Sequence, residues 1–442
     1  MTNLNDCLKT SKLFGNVINL NYVCNDSNAN SGVNSNANLN IDIMKDKRVN
    51  RRDFLKLSAT VGAGALFAPA AVASAMEAKS IIPAAQQNSI PTRVLGRTGV
   101  KLPILSMGVM RADNPNVVRA AYNSGIFHFD TAYGYQNGRN EEMLGNFFAD
   151  KPRDKFFIAT KMKLNYPLRD DFEQQFNAGL ETSLKRLKMD YVDIFYAHSL
   201  PTREQVVNER IVAAMKKIKA DGKAKYLGLS SHDGNPDVIL AAIDAKVYDV
   251  ILFSYNFSLK NLKETEDAIE KAAKAGIGII VMKSMAGGRT GDLKKSSIDA
   301  KACMKWVWKN ENITTIIPGF VNFDQFDECI AAVNDPQLSA EEQRYLASLS
   351  YQELLYCQQC GECLQQCPNH LPIPDLMRAY MYAYGYNYAQ LSKDTLIEAN
   401  FNEDACAGCD GDCKVKCPSG FNIGNKIAAI APIAKTPYEF LT

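Results

Sequence analysis

An alternation of two hydrophobic patterns over residues 92–335 constrains the fold more than any other feature of this chain. Short apolar runs typical of buried strands lie at 104–109, 126–132, 156–162, 192–199, 225–232, 249–256, 277–284 and 313–320. Between them, apolar residues return every three or four positions, as in helices that cover a sheet. Eight β-then-α units over this length predict an α/β fold of the (β/α)8 TIM barrel type, whose active site lies at the carboxyl ends of the strands.

Proline and glycine mark the expected ends of the helices in this region. A first helix is expected after Asn114-Pro115, and Gly125, Gly222 and Gly276 lie where helices should end.

Polar residues stand at the ends of three successive predicted strands. The second strand ends in Asp130-Thr131-Ala132-Tyr133-Gly134-Tyr135, the third in Thr160-Lys161, and the fourth in His198. These residues resemble the D-T-A-x-x-Y, T-K and late-strand His motifs of the aldo-keto reductase family, and the resemblance covers the whole barrel. It implies a catalytic tetrad of Asp130, Tyr135, Lys161 and His198.

The residue types of this tetrad suit the reduction of a carbonyl, which needs a hydride at carbon and a proton at oxygen. Tyr135 is the expected general acid or base, although an unperturbed tyrosine has a pKa of about 10. We expect Lys161 to lower that pKa by favouring the phenolate, and Asp130 to hold Lys161 charged. His198 should hydrogen-bond the oxygen as negative charge builds. Each residue alone could be structural, but their order on successive strands favours a site.

The same resemblance implies NADP or NAD, bound across the barrel mouth by the late strands. The implied cofactor-binding residues are Ser230, Ser231, Met282, Gly319 and Gln325. Three positions depart from the family pattern. Ser231 replaces an asparagine, Leu252 replaces a glutamine, and Met282 or Lys283 replaces a tyrosine that stacks on nicotinamide. No Lys or Arg lies between Gly319 and Ile330, where arginine would be the natural partner of the 2′-phosphate of NADP.

Eight of the twelve cysteines form two dense groups near the C-terminus. Each group has four cysteines and is closed by Cys-Pro, and the first has the C-x2-C-x2-C-x3-C spacing of bacterial ferredoxins. In two-cluster ferredoxins the last cysteine of each run serves the other cluster. This likeness implies two [4Fe–4S] clusters, one held by Cys357, Cys360, Cys363 and Cys417, the other by Cys406, Cys409, Cys413 and Cys367.

Zinc is the alternative metal for paired C-x-x-C groups, and the fourth cysteine in both runs favours iron–sulfur. Residues 373–401, which separate the two groups, are tyrosine-rich and are predicted to be helical. We expect this segment to pack against the clusters or against the barrel.

The beginning of the chain has the features of an export signal. Arg51-Arg52-Asp53-Phe54-Leu55-Lys56 resembles the twin-arginine signal, and no charged residue follows until Glu77. Ala73-Ser74-Ala75 predicts cleavage before Met76. An amphipathic or buried helix after a chance Arg-Arg pair is the alternative. Residues 1–43 are Asn- and Ser-rich and are predicted to be disordered, and we expect translation to begin at Met44.

Charge and hydropathy exclude some partners. The formal net charge is +2, from 50 basic and 48 acidic residues, and this gives no support for nucleic-acid binding. Beyond the signal, no apolar run is typical of a permanent membrane span.

The predicted organisation is an extension at 1–43, a signal peptide at 44–75, a linker at 76–91, the barrel at 92–350, and a small ferredoxin-like iron–sulfur domain at 351–442. The predicted function is an exported, periplasmic oxidoreductase that interconverts a small-molecule carbonyl and an alcohol. It would exchange electrons with a redox partner protein or carrier and use the twin-arginine translocation machinery. The alternative is a barrel that no longer uses nucleotide and serves as a ligand-binding or docking scaffold for an iron–sulfur electron-transfer protein.

Overall fold

The computed structural model describes residues 9–14, 17–22, 90–232, 236–287, 298–349, 355–402, 404–406, 409 and 413–441. The chain divides into two units, Met1–Ile82 and Pro83–Thr442. In the first unit, strands Lys9–Phe14 and Val17–Tyr22 pair antiparallel. The predicted signal peptide lies outside the described residues.

The second unit contains an eight-stranded parallel sheet whose order follows the chain. Its strands are Met107–Gly108, His128–Asp130, Phe157–Lys163, Val192–His198, Ala224–Ser231, Val250–Ser254, Gly278–Met282 and Thr315–Ile316. Leu105 bridges Ile316 in parallel, and Gly108 N donates to Pro318 O at 3.1 Å, which closes the sheet into a barrel. The predicted TIM barrel is therefore confirmed. The first and last strands are much shorter than the apolar runs that predicted them.

Helices follow the strands, as a (β/α)8 fold requires. They are Pro115–Asn123, Arg139–Phe148, Phe172–Leu187, Arg203–Val206, Glu209–Ala220, Pro236–Ala245, Leu262–Lys274, Ala300–Trp308, Phe323–Asn334 and Ala340–Ser348. A hairpin of Thr92–Val94 and Lys101–Pro103 precedes the barrel. The Arg97 N of this hairpin donates to Gly276 O at 2.6 Å, just before the seventh strand begins. The hairpin therefore lies at the amino ends of the strands, opposite the carboxyl ends that carry the predicted site.

Local sequence explains where several helices begin and end. The Asn114 side chain accepts a bond from Asn116 N at 3.0 Å, and Pro115 is the first helical residue, as predicted. Gly125, Gly222 and Gly276 have φ values of 98°, 74° and 78°, a left-handed conformation that ends a helix and favours glycine.

The C-terminal part folds around its own apolar core. Helices Ile373–Tyr384, Ala389–Glu398 and Ile423–Lys435 surround buried Leu376, Ile427 and Ile430, and Cys363 and Cys367 belong to the same core. The barrel core is separate and includes Phe129, Phe195, Leu229, Ile279 and, from the chain beyond the barrel, Tyr356. Among the described residues, no helix combines the length and apolar character needed to cross a membrane.

Candidate active site and cysteine clusters

The structure brings the four predicted catalytic residues together at the carboxyl ends of the strands. Asp130 and His198 are the last residues of the second and fourth strands, and Lys161 lies in the third. Lys161 Nζ forms an ion pair with Asp130 and donates to Thr131 O at 2.7 Å. The same Nζ lies 5.1 Å from the centroid of the Tyr135 ring, which meets the His198 ring edge-on at 6.1 Å.

Tyr135 is held by a short turn that is tied to the loop after the first strand. Gln136 and Asn137 take left-handed φ values of 51° and 56°, and the Gln136 side chain donates to Met110 O and Ala112 O at 3.1 and 3.2 Å. Asn140 Nδ2 also donates to Ala112 O, at 3.1 Å. These bonds offset the cost of the unusual backbone and fix the direction in which Tyr135 points.

The electrostatics of Tyr135 differ from the prediction. Burial raises the pKa of Tyr135, and the charge of Asp130 and the nearby Tyr386 raise it further. Burial also raises the pKa of Asp130 and lowers that of Lys161, while each partner's charge opposes the change in the other. The net change in the pKa of Tyr135 is therefore upward, opposite in direction to the change expected from Lys161, because burial is the largest contribution. A raised pKa keeps Tyr135 a neutral phenol at ordinary pH.

The imidazoles at the site are held neutral. Burial lowers the pKa of His198 well below its usual value, and the charges of Lys161, Lys163 and Arg378 lower it further. The neighbouring His232 ring lies 6.0 Å from that of His198, and its pKa is lowered by the same combination of burial and cations. A neutral imidazole can donate one N–H to a substrate oxygen without adding charge.

Sequence reasoning missed the residues that support the tetrad. Glu141 is fully buried, accepts from Thr160 Oγ1 at 2.6 Å, and pairs with Arg186 at 3.2 Å, which in turn donates to Tyr133 O. Tyr196 is also buried, with its ring centroid 5.8 Å from Lys161 Nζ. An acidic residue on a helix and a tyrosine within a strand carry no sequence signal that separates them from ordinary packing.

The five residues predicted to bind nucleotide are placed less favourably. Ser230 Oγ already accepts from Ser199 N at 2.9 Å, and the Gln325 amide oxygen accepts from Val321 N at 3.0 Å. Ser231 is buried, Met282 packs against the apolar layer inside the barrel that includes Leu252, and Gly319 lies close to Gly108 O.

A segment from beyond the barrel covers the ends of the fifth, sixth and seventh strands. Tyr356 OH donates to His232 O at 3.0 Å, and the Tyr356 ring lies 5.6 Å from Lys283 Nζ. Gln358 bonds Ser258 O and Lys260 N, at 2.7 and 3.1 Å. These are the strands to which the resemblance assigns nicotinamide. In the described part of the chain, two of the five predicted side chains are bonded within the protein and Tyr356 and Gln358 cover these strand ends, and nicotinamide nucleotide binding stays a prediction.

Helix Ile373–Tyr384 also contacts the mouth of the barrel, so the helical prediction and its packing against the barrel hold. Arg111, from the loop after the first strand, lies over the Tyr386 ring at 5.2 Å, and Tyr386 packs on Tyr382 at 5.6 Å. Burial raises the pKa of Tyr382 to about 12, with a smaller contribution from Tyr135. At Gly287, a side chain would collide with Met381 of this helix.

The first predicted cysteine set surrounds a common space. Cys357, Cys360, Cys363 and Cys417 line a common cavity, and Gln359 N donates to Cys357 Sγ at 3.4 Å. Burial and the other three thiols raise the pKa of Cys357 to about 12. Four convergent thiols with a backbone N–H directed at sulfur are the donors that a [4Fe–4S] cluster uses, so these residues fit one.

The second set also brings its predicted members near each other. The pKa of Cys406 is raised by burial and by Cys409, Cys367 and Cys413, so the thiol from the first run lies beside the second run. Asn369 Nδ2 approaches Cys409 Sγ at 3.8 Å. Over the described residues, no group of three or more His, Cys, Asp or Glu side chains is arranged around a single metal ion.

Comparison with known proteins gives the same division of the chain. Residues 106–302 match the aldo/keto reductase family and residues 356–428 match the 4Fe-4S dicluster domain. L-galactose dehydrogenase from Arabidopsis thaliana is 27% identical over 303 residues, which are 59% of this chain and 93% of the relative. L-glyceraldehyde 3-phosphate reductase from Escherichia coli O157:H7 is 25% identical over 312 residues, 57% of this chain and 89% of the relative.

An aldo-keto reductase from Bacillus halodurans, solved in its holo form, matches with a TM-score of 0.50 and 20% identity over 58% of this chain and 95% of that one. At this identity the likeness shows the fold. The family match and these relatives support an oxidoreductase enzyme that is similar to the aldo-keto reductases. Its C-terminal part matches the 4Fe-4S dicluster domain.

Proposed function

We propose that this protein is an exported oxidoreductase that interconverts a carbonyl and an alcohol, with Tyr135 as general acid or base, coupled to electron transfer through two [4Fe–4S] clusters. One observation carries the proposal. Tyr135, Lys161 and His198 converge at the barrel mouth, and the chain that bears the first cysteine set is bonded to that same mouth through Tyr356.

The raised pKa of Tyr135 keeps the phenol protonated at neutral pH, which is the form that carbonyl reduction requires, although it also makes the phenol a weaker acid. As Tyr135 gives its proton to the substrate oxygen, the Lys161 ammonium 5.1 Å from its ring stabilises the phenolate that forms. Asp130 and Thr131 O fix the position of Lys161. His198 is placed to donate a hydrogen bond to the same substrate oxygen.

Iron–sulfur clusters, when bound, would supply one-electron transfer. We propose Cys357, Cys360, Cys363 and Cys417 as ligands of the first and Cys406, Cys409, Cys413 and Cys367 as ligands of the second. Iron, zinc and acid-labile sulfide measured on anaerobic protein test this. Two [4Fe–4S] clusters would give eight irons and eight sulfides per chain, whereas colourless protein with two zinc ions would reject the proposal.

The second candidate function is a barrel without nucleotide that acts as a ligand-binding or docking scaffold. The bonded Ser230 and Gln325 side chains and the covered ends of strands five to seven favour it. Titration with NADPH and NADH, followed by fluorescence quenching and thermal stabilisation, separates the two: saturable binding supports NAD(P) use. Turnover of a carbonyl panel with reduced clusters and without nucleotide would instead support the enzyme with clusters as its electron source.

We propose export by the twin-arginine pathway on the strength of Arg51-Arg52, the apolar run and Ala73-Ser74-Ala75. Cell fractionation should find the protein in the periplasm with Met76 at its N-terminus, and replacing Arg51 and Arg52 by lysine should retain it inside the cell. Mass spectrometry of the retained precursor tests the start at Met44, because peptides from residues 1–43 would contradict it. A redox protein or carrier in that compartment would be the electron partner.

A further inference from the structure

The chain passes from one hydrophobic core to another at a single peptide bond. Tyr356 is almost completely buried in the core of the barrel, whereas the next residue, Cys357, packs against the core of the iron–sulfur domain. Adjacent Cα atoms lie only about 3.8 Å apart. A ligand of the first cysteine set is therefore joined covalently to a residue that forms part of the barrel.

Tyr356 leads directly to the candidate active site. Its hydroxyl donates to His232 O at 3.0 Å, and the His232 ring lies 6.0 Å from that of His198, which faces Tyr135 at 6.1 Å. The series therefore runs from the tetrad to Cys357. It consists of two ring contacts, one hydrogen bond and the peptide bond between Tyr356 and Cys357.

Gln358, on the other side of Cys357, fixes the same segment from a second direction. Its amide nitrogen donates to Ser258 O at 2.7 Å and its amide oxygen accepts from Lys260 N at 3.1 Å. Both groups of this side chain are used in the loop after the sixth strand. Cys357 is thus held between two residues anchored on the barrel, and its position relative to the mouth is defined.

The second cysteine set differs in its exposure. Cys406, Cys409 and Cys413 are exposed, and only Cys367 of that set is buried. In the first set only Cys360 is exposed; Cys363 is buried, and Cys357 and Cys417 are half-buried. The residues on either side of Cys357, Tyr356 and Gln358, both bond the barrel.

We propose that Tyr356 is a positioning residue that connects the barrel mouth to the first cluster, so that electrons from the redox partner enter at the Cys406 set, pass to the Cys357 set and reach the barrel. This rests on the proposed function, in which the redox partner is the source of electrons. A carbonyl takes two electrons and two protons to become an alcohol. The Cys357 and Cys406 sets would each hold a cluster that carries one electron, so two electrons from the partner would pass through them, and the protons would come from Tyr135 and from solvent.

Light-driven electron injection tests the connection without a substrate. A ruthenium tris-bipyridine maleimide is attached to P201C, an exposed position next to Leu200, whose N–H donates to Ser230 O at 2.8 Å at the mouth of the barrel. A second preparation carries the label at K435C, where the native lysine reaches Asp404, two residues before Cys406. Both use the holoprotein with Cys7→Ser and Cys24→Ser, and cluster bleaching after a flash in the presence of a sacrificial donor gives the rate.

Replacing Tyr356 should slow only the injection that starts at the barrel. We expect Tyr356→Leu to lower the rate from position 201 by about tenfold, as loss of a residue behind a metal ligand typically does, and to leave the rate from position 435 unchanged. Tyr384→Phe is the matched control, because its exposed hydroxyl donates to Ala429 O at 2.9 Å within the iron–sulfur domain. That variant should change neither rate.

An unchanged rate from position 201 in Tyr356→Leu, at full iron and sulfide content, would overturn the proposal. Equal slowing from both positions would also overturn it, because it would show general damage to the clusters. If Tyr356→Leu loses iron, Tyr356→Phe decides, since it keeps the ring and removes the hydroxyl that donates to His232 O. Slower injection from position 201 alone would support the proposal, and an unchanged rate would overturn it. Because neither carbonyl nor nucleotide is present, failure of the enzymatic proposal leaves this result interpretable.

Discussion

Tyr135 shows how far residue identity and residue environment can diverge. The tetrad is recognisable in the sequence, yet the direction of the pKa shift of Tyr135 depends on its burial and on the charges of Asp130 and Tyr386, which no local motif encodes. The same holds for Leu252, whose replacement of a polar residue was visible in the sequence, whereas its place in the apolar layer inside the barrel was not.

The first prediction concerns the proton donor. Tyr135→Phe removes the only proposed acid but keeps the ring, so carbonyl reduction should fall by about a hundredfold to ten-thousandfold while the thermal unfolding temperature stays close to that of the native protein. Steady-state rates on a panel of aldehydes and ketones measure this. Tyr166→Phe is the control, since Tyr166 is exposed and its hydroxyl donates to Glu204 on the surface. Full activity in Tyr135→Phe would remove this residue from the mechanism.

The second prediction follows from the raised pKa of Tyr135. The phenol remains protonated below its raised pKa, so the rate of carbonyl reduction should show no descending limb up to about pH 10, the value of an unperturbed tyrosine. A profile of kcat against pH checks it. A descending limb near pH 8 would mean that Lys161 acts on the phenolate as the sequence had suggested.

Three buried or half-buried histidines give a third prediction. Burial lowers the pKa of His128 to about 3 and those of His198 and His232 below their usual range. The unfolded chain takes up protons on these residues at about pH 6.5 while the folded chain does not. Their contribution to stability is therefore present above about pH 6.5 and is lost as pH falls towards the folded pKa. Urea unfolding of the holoprotein should show a free energy of unfolding that decreases from pH 7 to 5, and a smaller decrease in His232→Gln.

At the scale of elements, the contact between the seventh-strand loop and the iron–sulfur domain depends on one glycine. Gly287 has a φ of 73°, and a Cβ there would lie 2.6 Å from Met381 Sδ and 3.2 Å from Tyr356 N. Gly222 has nearly the same φ, 74°, with nothing within 4 Å of the added carbon. A side chain at either position would strain the left-handed backbone. Only at Gly287 would it also collide with neighbouring atoms.

Alanine at these two glycines separates strain from docking. Gly222→Ala should cost about 1 to 2 kcal/mol from the left-handed backbone alone. Gly287→Ala should cost a further 1 to 3 kcal/mol, roughly the price of overpacking, and should increase hydrogen exchange in residues 355–384. Denaturant unfolding and exchange followed by mass spectrometry measure both. Equal losses in the two variants would show that the loop and the helix do not press on each other.

The elements themselves were the most predictable part of the molecule, and their lengths the least. The run at 249–256 became the strand Val250–Ser254, because its residues are apolar on both faces and buried on both. The run at 313–320 retains only Thr315–Ile316 as strand, since its later residues turn to meet Gly108 and form the loop before helix Phe323–Asn334. An apolar run in the sequence predicts that its residues are buried. How many of those residues pair as a strand depends on how the barrel closes.

For the whole molecule, removing the clusters should affect the two cores differently. The iron–sulfur core includes Cys363 and Cys367 and is much smaller than the barrel core. Because ligand binding is coupled to folding in such domains, apoprotein should lose the helical signal of residues 373–435 and keep a cooperative barrel transition. Circular dichroism and calorimetry of holo- and apoprotein measure this, with reconstitution by iron and sulfide as the control. Identical melting of both forms would contradict it.

Tyr356 shifts the boundary between the two halves of the protein. Composition suggested a division at 350, six residues before the side chain that completes the barrel core. A shortened chain that ends before Leu355 would uncover the apolar contacts of Met110 and the surroundings of Gly287, and such a patch promotes aggregation. An isolated barrel would thus be a poor substitute in a substrate screen. Its mouth would be wider, would expose more apolar surface and would carry a different charge from the mouth that binds substrate in the full-length protein.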